Sequence, residues 1–252
     1  MWKMRLLRKE IDYLILILLF SSLLLVIFTF PEINKYSFEE YLIGVGIIFL
    51  ISLILLKKYK FQKWAIIFII FLIFTLVRNE LSLLAPSFIF IVFPFYWAKH
   101  NGKKYSTVIQ EYGLRVKNKF SIIMCGVIGL FLIILLVGLI GLFFYLIDMN
   151  DQANVKDVVR SLPWISIPFA IILAPLAEEI FFRGFLLKKL GLWASAIIFA
   201  VLHFAYGSIV EIAAAFAIAL LLSYLFVKTK SLWPSIIAHS LFNLLALTVM
   251  WL

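Results

Sequence analysis

The chain has 252 residues, 65% of them hydrophobic and 14% charged, with a formal net charge of +10. A soluble domain of this length is usually about half apolar; here apolar runs recur along the whole chain, so a polytopic membrane protein with no sizeable soluble domain is predicted. The single cysteine, Cys125, excludes an intramolecular disulfide and a thiolate metal site.

A basic start (Lys3, Arg5, Arg8, Lys9) leads into a first span at 13–30, read as a retained anchor because no small-residue cleavage site follows. An acidic loop with Glu32, Glu39 and Glu40 precedes the second span at 41–56, which Lys57, Lys58, Lys60 and Lys63 close. Spans at 64–77 and 81–97 form a hairpin turning at Arg78-Asn79-Glu80. The longest polar stretch, 98–120, carries Lys99, Lys103, Lys104, Arg115, Lys117 and Lys119. A fifth span at 121–147 contains Gly138 and Gly141, expected to allow close helix packing. The polar loop 148–163 holds Asp148, Asp151 and Asp157. The sixth span, 164–187, ends at Lys188 and Lys189. The seventh, 193–206, is short and stops at Gly207-Ser208; the eighth and ninth are 209–227 and 232–252. The expected fold is all-α, a transmembrane bundle of eight or nine hydrophobic segments. An N-terminal region, 1–163, lacks any recognised motif, and a C-terminal core, 164–252, encloses a buried polar cavity.

Alternating the loops from a cytoplasmic N-terminus places 18 of the 23 Lys and Arg inside. Only Lys35, Arg78, Lys156 and Arg160 fall outside, and Arg183 lies in the membrane. This asymmetry obeys the positive-inside rule and accounts for the net charge by topology and lipid contact, so no nucleic acid partner is expected.

The sixth span contains Ala177-Glu178-Glu179-Ile180-Phe181-Phe182-Arg183-Gly184, two adjacent carboxylates and a guanidinium among apolar residues. Charge at bilayer depth is costly and reads as functional by default. Counted from the basic span ends at about 1.5 Å per residue, Glu178, His203 and His239 come to similar depth near the bilayer middle. Glu179 and Arg183 are i,i+4 with the acid first, which suits an ion pair. Glu178 is turned by about 100° and points elsewhere. Phe199 and His203 share one face of the seventh span, and His239 and Asn243 one face of the ninth. Pro168 and Pro175 should bend the sixth helix and free backbone carbonyls.

These residue types suffice for hydrolysis. Glu178 with His203 could hold a water and take its proton. His239 with the Asn243 amide could donate to a developing oxyanion. Glu178 would then lie within one bridging water of His203, and His239 and Asn243 would point into one cavity. Alternatively, Glu178, His203 and His239 could bind a divalent metal such as zinc that activates the water. No HExxH occurs in the chain.

EExxxR at 178–183, FxxxH at 199–203 and HxxxN at 239–243, in that order, resemble the CPBP family of CAAX proteases and bacteriocin-processing enzymes, also called the Abi family. The resemblance covers roughly 164–247 and makes 164–252 a CPBP-like core. It implies an intramembrane endopeptidase acting on peptides or membrane proteins in a lipid bilayer. Glu178 would be the catalytic glutamate, His203 would help activate water, and His239 with Asn243 would stabilise the oxyanion, with Glu179 and Arg183 supporting. It leaves metal-dependent and metal-free mechanisms both open. A bacterial plasma membrane is the expected location. The competing classes are a non-catalytic scaffold or bacteriocin-immunity protein, and an ion-coupled transporter. The transporter would predict repeated halves, and none are visible.

Overall fold

The structure, a computed structural model, describes residues 84–116 and 118–251. The spans expected at 13–30, 41–56 and 64–77, the N-terminal orientation and the total segment count all lie outside the described residues. Every regular element among the described residues is helical. In order they are α1 (Leu84–His100), α2 (Tyr105–Glu111), α3 (Lys119–Leu146), α4 (Gln152–Arg160), α5 (166–190), α6 (Leu192–Leu202), α7 (Ile209–Thr229) and α8 (Trp233–Trp251). A 3-10 turn, His203–Tyr206, extends α6.

Three of these helices, α3, α7 and α8, are long and apolar enough to cross a membrane. At 28 residues, α3 spans about 42 Å. It starts where the Asn118 side chain accepts from the Ser121 N–H at 3.1 Å, satisfying one of the free amides of a helix N-terminus. Much of its surface, including Phe131, Leu135, Leu139 and Phe143, is exposed apolar side chain, as a lipid-facing helix requires. The face turned inward is made by Gly126 and Gly129. A Cβ on Gly126 would come 2.7 Å from Ile237 Cγ2 of α8, and one on Gly129 would come 2.7 Å from Leu225 Cδ1 of α7. The expected packing role of Gly138 and Gly141 is therefore corrected among the described residues, where a Cβ at either would meet nothing within 4 Å. The four glycines look alike in sequence, but among the described residues only Gly126 and Gly129 lie on the face of α3 that meets α7 and α8. On that face Ile133, Ile218, Leu222, Leu225 and Ala238 form a buried cluster.

A second, aromatic cluster joins α1 to α5. Phe90 stacks on Phe181 at 4.6 Å, Phe93 meets Phe185 edge-on at 5.4 Å, and Phe182 meets Phe199 of α6 at 5.0 Å. Such pairs add about 0.5–1.5 kcal/mol beyond their burial, so they fix the rotation of α5, and with it the direction of its carboxylates.

Two stretches expected as loops contain helices. The 98–120 stretch forms α2, which buries Val108, and 148–163 forms α4, which buries Val155 and Val159 at i,i+4 spacing. Both helices are short and amphipathic, and burial of one apolar strip outweighs the polar composition around it.

The connections sort by charge. At one end of the bundle, the turn after α2 meets the turn after α7: Leu232 N–H donates to Gly113 O at 3.0 Å, and Trp233 Nε1 donates to Leu114 O at 2.8 Å. Gly113 has φ +68°, and a Cβ there would sit 2.9 Å from Lys230 O, so only glycine permits this approach. The basic end of α5 closes the same face, where the Lys188 Nζ donates to Glu111 O. At the opposite end, Asp151 takes hydrogen bonds from the Ser208 hydroxyl and the Ile209 N–H, both at 2.5 Å, and Arg160 Nε donates to Met250 O at 3.0 Å. The basic 98–120, 188–192 and 228–231 connections thus share one end, and 148–163 lies with 207–211 at the other. The alternation read from the charges holds over this part of the chain.

Candidate active site

Helix α5 is not a uniform α-helix. Ser166–Pro168, Ala174–Glu179 and Leu187–Leu190 are α-helical, and Phe169–Leu173 and Ile180–Leu186 are π-helical. The first wide stretch follows from Pro175. In the first π stretch the Ala174 N–H bonds to Phe169 O, five residues back. The same register would pair Ala170 O with the N–H of residue 175, and proline has none. Ala170 O is left without a helical donor, and Asn243 Nδ2 supplies one from α8 at 2.9 Å. One amide hydrogen of Asn243 therefore holds the helix that carries the carboxylates. Its second is free of that bond.

The short α-helical piece that follows presents Glu178 and Glu179 in different directions. Glu179 is sealed, with its side chain 0% exposed, while the Glu178 side chain is 22% exposed. Only Glu178 can meet water or substrate directly. Glu179 Oε1 lies 2.9 Å from Arg183 Nη1, confirming the i,i+4 pair. The contact is an ion pair rather than an aligned hydrogen bond: Arg183 Nη1 and Nε and Glu179 Oε2 have no hydrogen-bond partner among the described residues. Arg183 Nη2 donates to Ala219 O of α7 at 3.3 Å, and the guanidinium lies 4.7 Å from the centre of the Phe199 ring. Attraction to Glu179 and to the aromatic face together offset the desolvation of the cation.

Glu179 Oε1 also lies 3.0 Å from His239 Nδ1. The carboxylate accepts, so Nδ1 carries the hydrogen and the other ring nitrogen is the working one. That atom, Nε2, lies 3.8 Å from Glu178 Oε2. This exceeds a hydrogen bond but lies within the reach of a single bridging oxygen.

His203 closes α6 where the helix tightens into its 3-10 turn. Its Nδ1 lies 2.8 Å from Phe199 O and donates to it, leaving Nε2 as the free nitrogen. The His203 ring packs on Phe199 at 4.6 Å and on Tyr206 at 5.9 Å. The same Phe199 ring is 6.1 Å from His239. Phe199 is thus a partition touched by Arg183, His203 and His239, which fixes both imidazoles and the guanidinium by packing. Glu178, Glu179, Arg183, Phe199 and His239 come together directly. His203 joins them through Phe199, and Asn243 through the backbone of α5. The imidazole that Glu178 contacts is His239; it has no ion pair or hydrogen bond with His203.

A metal site needs several ligating side chains converging on one point. Among the described residues, no three His, Cys, Asp or Glu side chains gather to hold a metal ion. The donor set Glu178, His203 and His239 is not assembled in this structure. Sequence reading also missed Ser195, whose hydroxyl donates to Phe182 O at 3.1 Å, and Tyr206 beside His203. A serine buried in the apolar α6 was the available signal for the first.

Residues 160–245 match the family model described as type II CAAX prenyl endopeptidase Rce1-like. The resemblance drawn from the three motifs is borne out over this segment. A protein of Bacillus subtilis (strain 168), described as uncharacterized protein YpbD, is 31% identical over 117 residues. That alignment covers 44% of this chain and 60% of the relative, so less than two thirds of the relative's length is matched. No solved structure matches the chain.

Proposed function

We propose that this chain, whose segment 160–245 is Rce1-like, is an intramembrane endopeptidase. The observation that carries the reading is the Glu178–His239–Glu179–Arg183 chain of contacts. It sets one partly exposed carboxylate 3.8 Å from an imidazole whose far side is locked by a sealed ion pair.

The reaction is peptide hydrolysis. A water held by Glu178, with His203 Nε2 as second acceptor, loses its proton to the Glu178 carboxylate as its oxygen adds to the scissile carbonyl carbon. The negative charge that develops on the carbonyl oxygen is met by the remaining Asn243 N–H and by His239 Nε2–H when that ring carries its second proton, a cation that Glu179 faces at 3.0 Å. Collapse breaks the C–N bond, and Glu178 returns its proton to the departing amine. Arg183 and Phe199 act by positioning. The substrate class we infer is a polypeptide held at a lipid bilayer, in keeping with the prenyl endopeptidase named by the family description, and the setting is a bacterial plasma membrane.

The test is Glu178→Gln, which keeps shape and removes the base. Wild type and variant are expressed at equal membrane levels, and membrane and secreted peptides are compared by mass spectrometry. A cleavage product seen only with wild type is expected, with turnover lowered roughly 10²–10⁴-fold in the variant. Identical peptide profiles with an intact phenotype would instead make the carboxylate structural and the protein a scaffold.

A further inference from the structure

At the basic end of the bundle, remote from Glu178, a cavity of about 210 Å³ opens between the last turns of α1 and α5 and the helix α2. It is smaller than the roughly 300–1,000 Å³ of sites that bury drug-sized ligands, so it has room for a small polar group and none for an acyl chain. Lys103, Lys188 and Lys189 line it, with Asn101, Trp97 and Tyr112.

The charges there do not balance. Glu111 is the one carboxylate in the lining, and it already pairs with Lys103 at 2.5 Å. Among the described residues the Lys188 ammonium contacts neutral groups, the backbone oxygen of Glu111 and the faces of Tyr112 and Phe226, at 5.6 and 5.3 Å. Lys189 Nζ lies 5.4 Å from the centre of the Trp97 ring. Desolvation pushes the Lys188 ammonium below its ordinary range; Glu111 opposes the shift, and Lys103 and Lys230 add to it by repulsion. Three ammonium groups thus converge on one cavity against a single, already shared carboxylate. The walls carry Trp97 and Tyr112, residue types that favour the level of lipid headgroups. The floor includes Gly184, where a Cβ would stand 3.3 Å from the Tyr112 ring. Bulk at that position would press the ring out of place.

We propose that this cavity binds a phosphate group, with Lys188 and Lys189 as its principal ligands, Lys103 at the rim and the Asn101 amide as a neutral donor. The phosphate is carried by an anionic phospholipid headgroup or is free in solution; basic pockets between helix ends are the setting in which such headgroups are held. The site does not depend on the proposed peptidase chemistry.

The experiment uses the full chain in nanodiscs and reads thermal stability and retained lipid by native mass spectrometry. One arm compares phosphatidylglycerol with phosphatidylcholine alone, and a second adds inorganic phosphate to the phosphatidylcholine discs. Stabilisation and retention by phosphatidylglycerol, with no response to inorganic phosphate, identifies the lipid source; saturation by inorganic phosphate identifies the free anion. In either case Lys188→Gln with Lys189→Gln should weaken binding about 30-fold, from about fivefold per lysine, and Lys188→Arg should retain it. Lys103→Gln, on the exposed rim, reports on the same site if the double variant does not fold. Lys228→Gln, at the same end but outside the cavity, should change little. The proposal is overturned if neither ligand is retained, or if Lys228→Gln weakens binding as much as the cavity variants do, since the effect would then be general surface charge.

Discussion

Arg183→Met tests the packing logic of the site directly. The guanidinium is 1% exposed and faces a carboxylate that is 0% exposed, at 2.9 Å. Removing the cation while leaving Glu179 in place leaves a sealed anion with His239 as its remaining partner. Breaking a buried pair from one side costs about 3–5 kcal/mol. Loss of the donor to Ala219 O has a smaller effect, because that carbonyl is also reached by the Ser223 hydroxyl at 2.7 Å. The expected fall in melting temperature is roughly 6–20 °C for a chain of this size. Adding Glu179→Gln should restore much of it, because a neutral amide needs no counter-charge and still accepts from His239. The assay is thermal unfolding of the four members of the double-mutant cycle in the same detergent, with Glu178→Gln as a control expected to leave stability nearly unchanged. A cost below about 1 kcal/mol for Arg183→Met, or strictly additive effects in the cycle, would refute the claim that the pair is an energetically coupled unit.

Asn243→Ala should cost about 1–3 kcal/mol by stranding Ala170 O. Pro175→Ala in that background should recover part of the loss in thermal unfolding, because it returns a backbone N–H to the helix. Gly129→Ala should destabilise by about 1–3 kcal/mol, since its Cβ would stand 2.7 Å from Leu225 Cδ1 and 2.9 Å from Ala238 Cβ. Gly138→Ala, meeting nothing within 4 Å among the described residues, should be neutral or slightly stabilising in the same measurement. At the acidic end, burial opposes ionisation of Asp151, but hydrogen bonds from Ser208, Ile209 and Val210 outweigh it and hold the carboxyl below its ordinary value of 3.8. A depressed acid contributes fully above the unfolded value and loses its contribution as pH falls through the folded one. Stability should therefore be insensitive to this group above about pH 5 and should drop progressively below it. Asp151→Asn should flatten that acid limb in melting temperatures measured from pH 2 to pH 6, and an unchanged limb would assign it to other carboxylates.

What could be read without the structure was local. Helical spacing alone pairs Glu179 with Arg183, and the two are 2.9 Å apart. A run of hydrophobic residues with few charges identifies 121–147, 209–227 and 232–252, which the helices at Lys119–Leu146, Ile209–Thr229 and Trp233–Trp251 match closely. The order of EExxxR, FxxxH and HxxxN marks the segment that the family model matches at 160–245. Each of these follows from residues within one turn of each other, or from hydropathy summed along one element.

Only the tertiary structure decided which groups meet across helices. Depth placed both imidazoles near Glu178, but rotation of α8 against α5 determines that His239 is the one in contact, through a residue 60 positions away from Glu179. Proline at 175 announced a free carbonyl, and the packed bundle identified Asn243 as its donor. Four glycines in α3 were equivalent in sequence until the neighbouring helices approached two of them so closely that a Cβ there would come within 3 Å. The physical reason is common to all three. Secondary structure depends on short-range spacing that one segment carries by itself. The partner of a buried polar atom, or of a bare glycine face, depends on the rotation and approach of a second helix, and those are set by side-chain packing summed over the whole bundle.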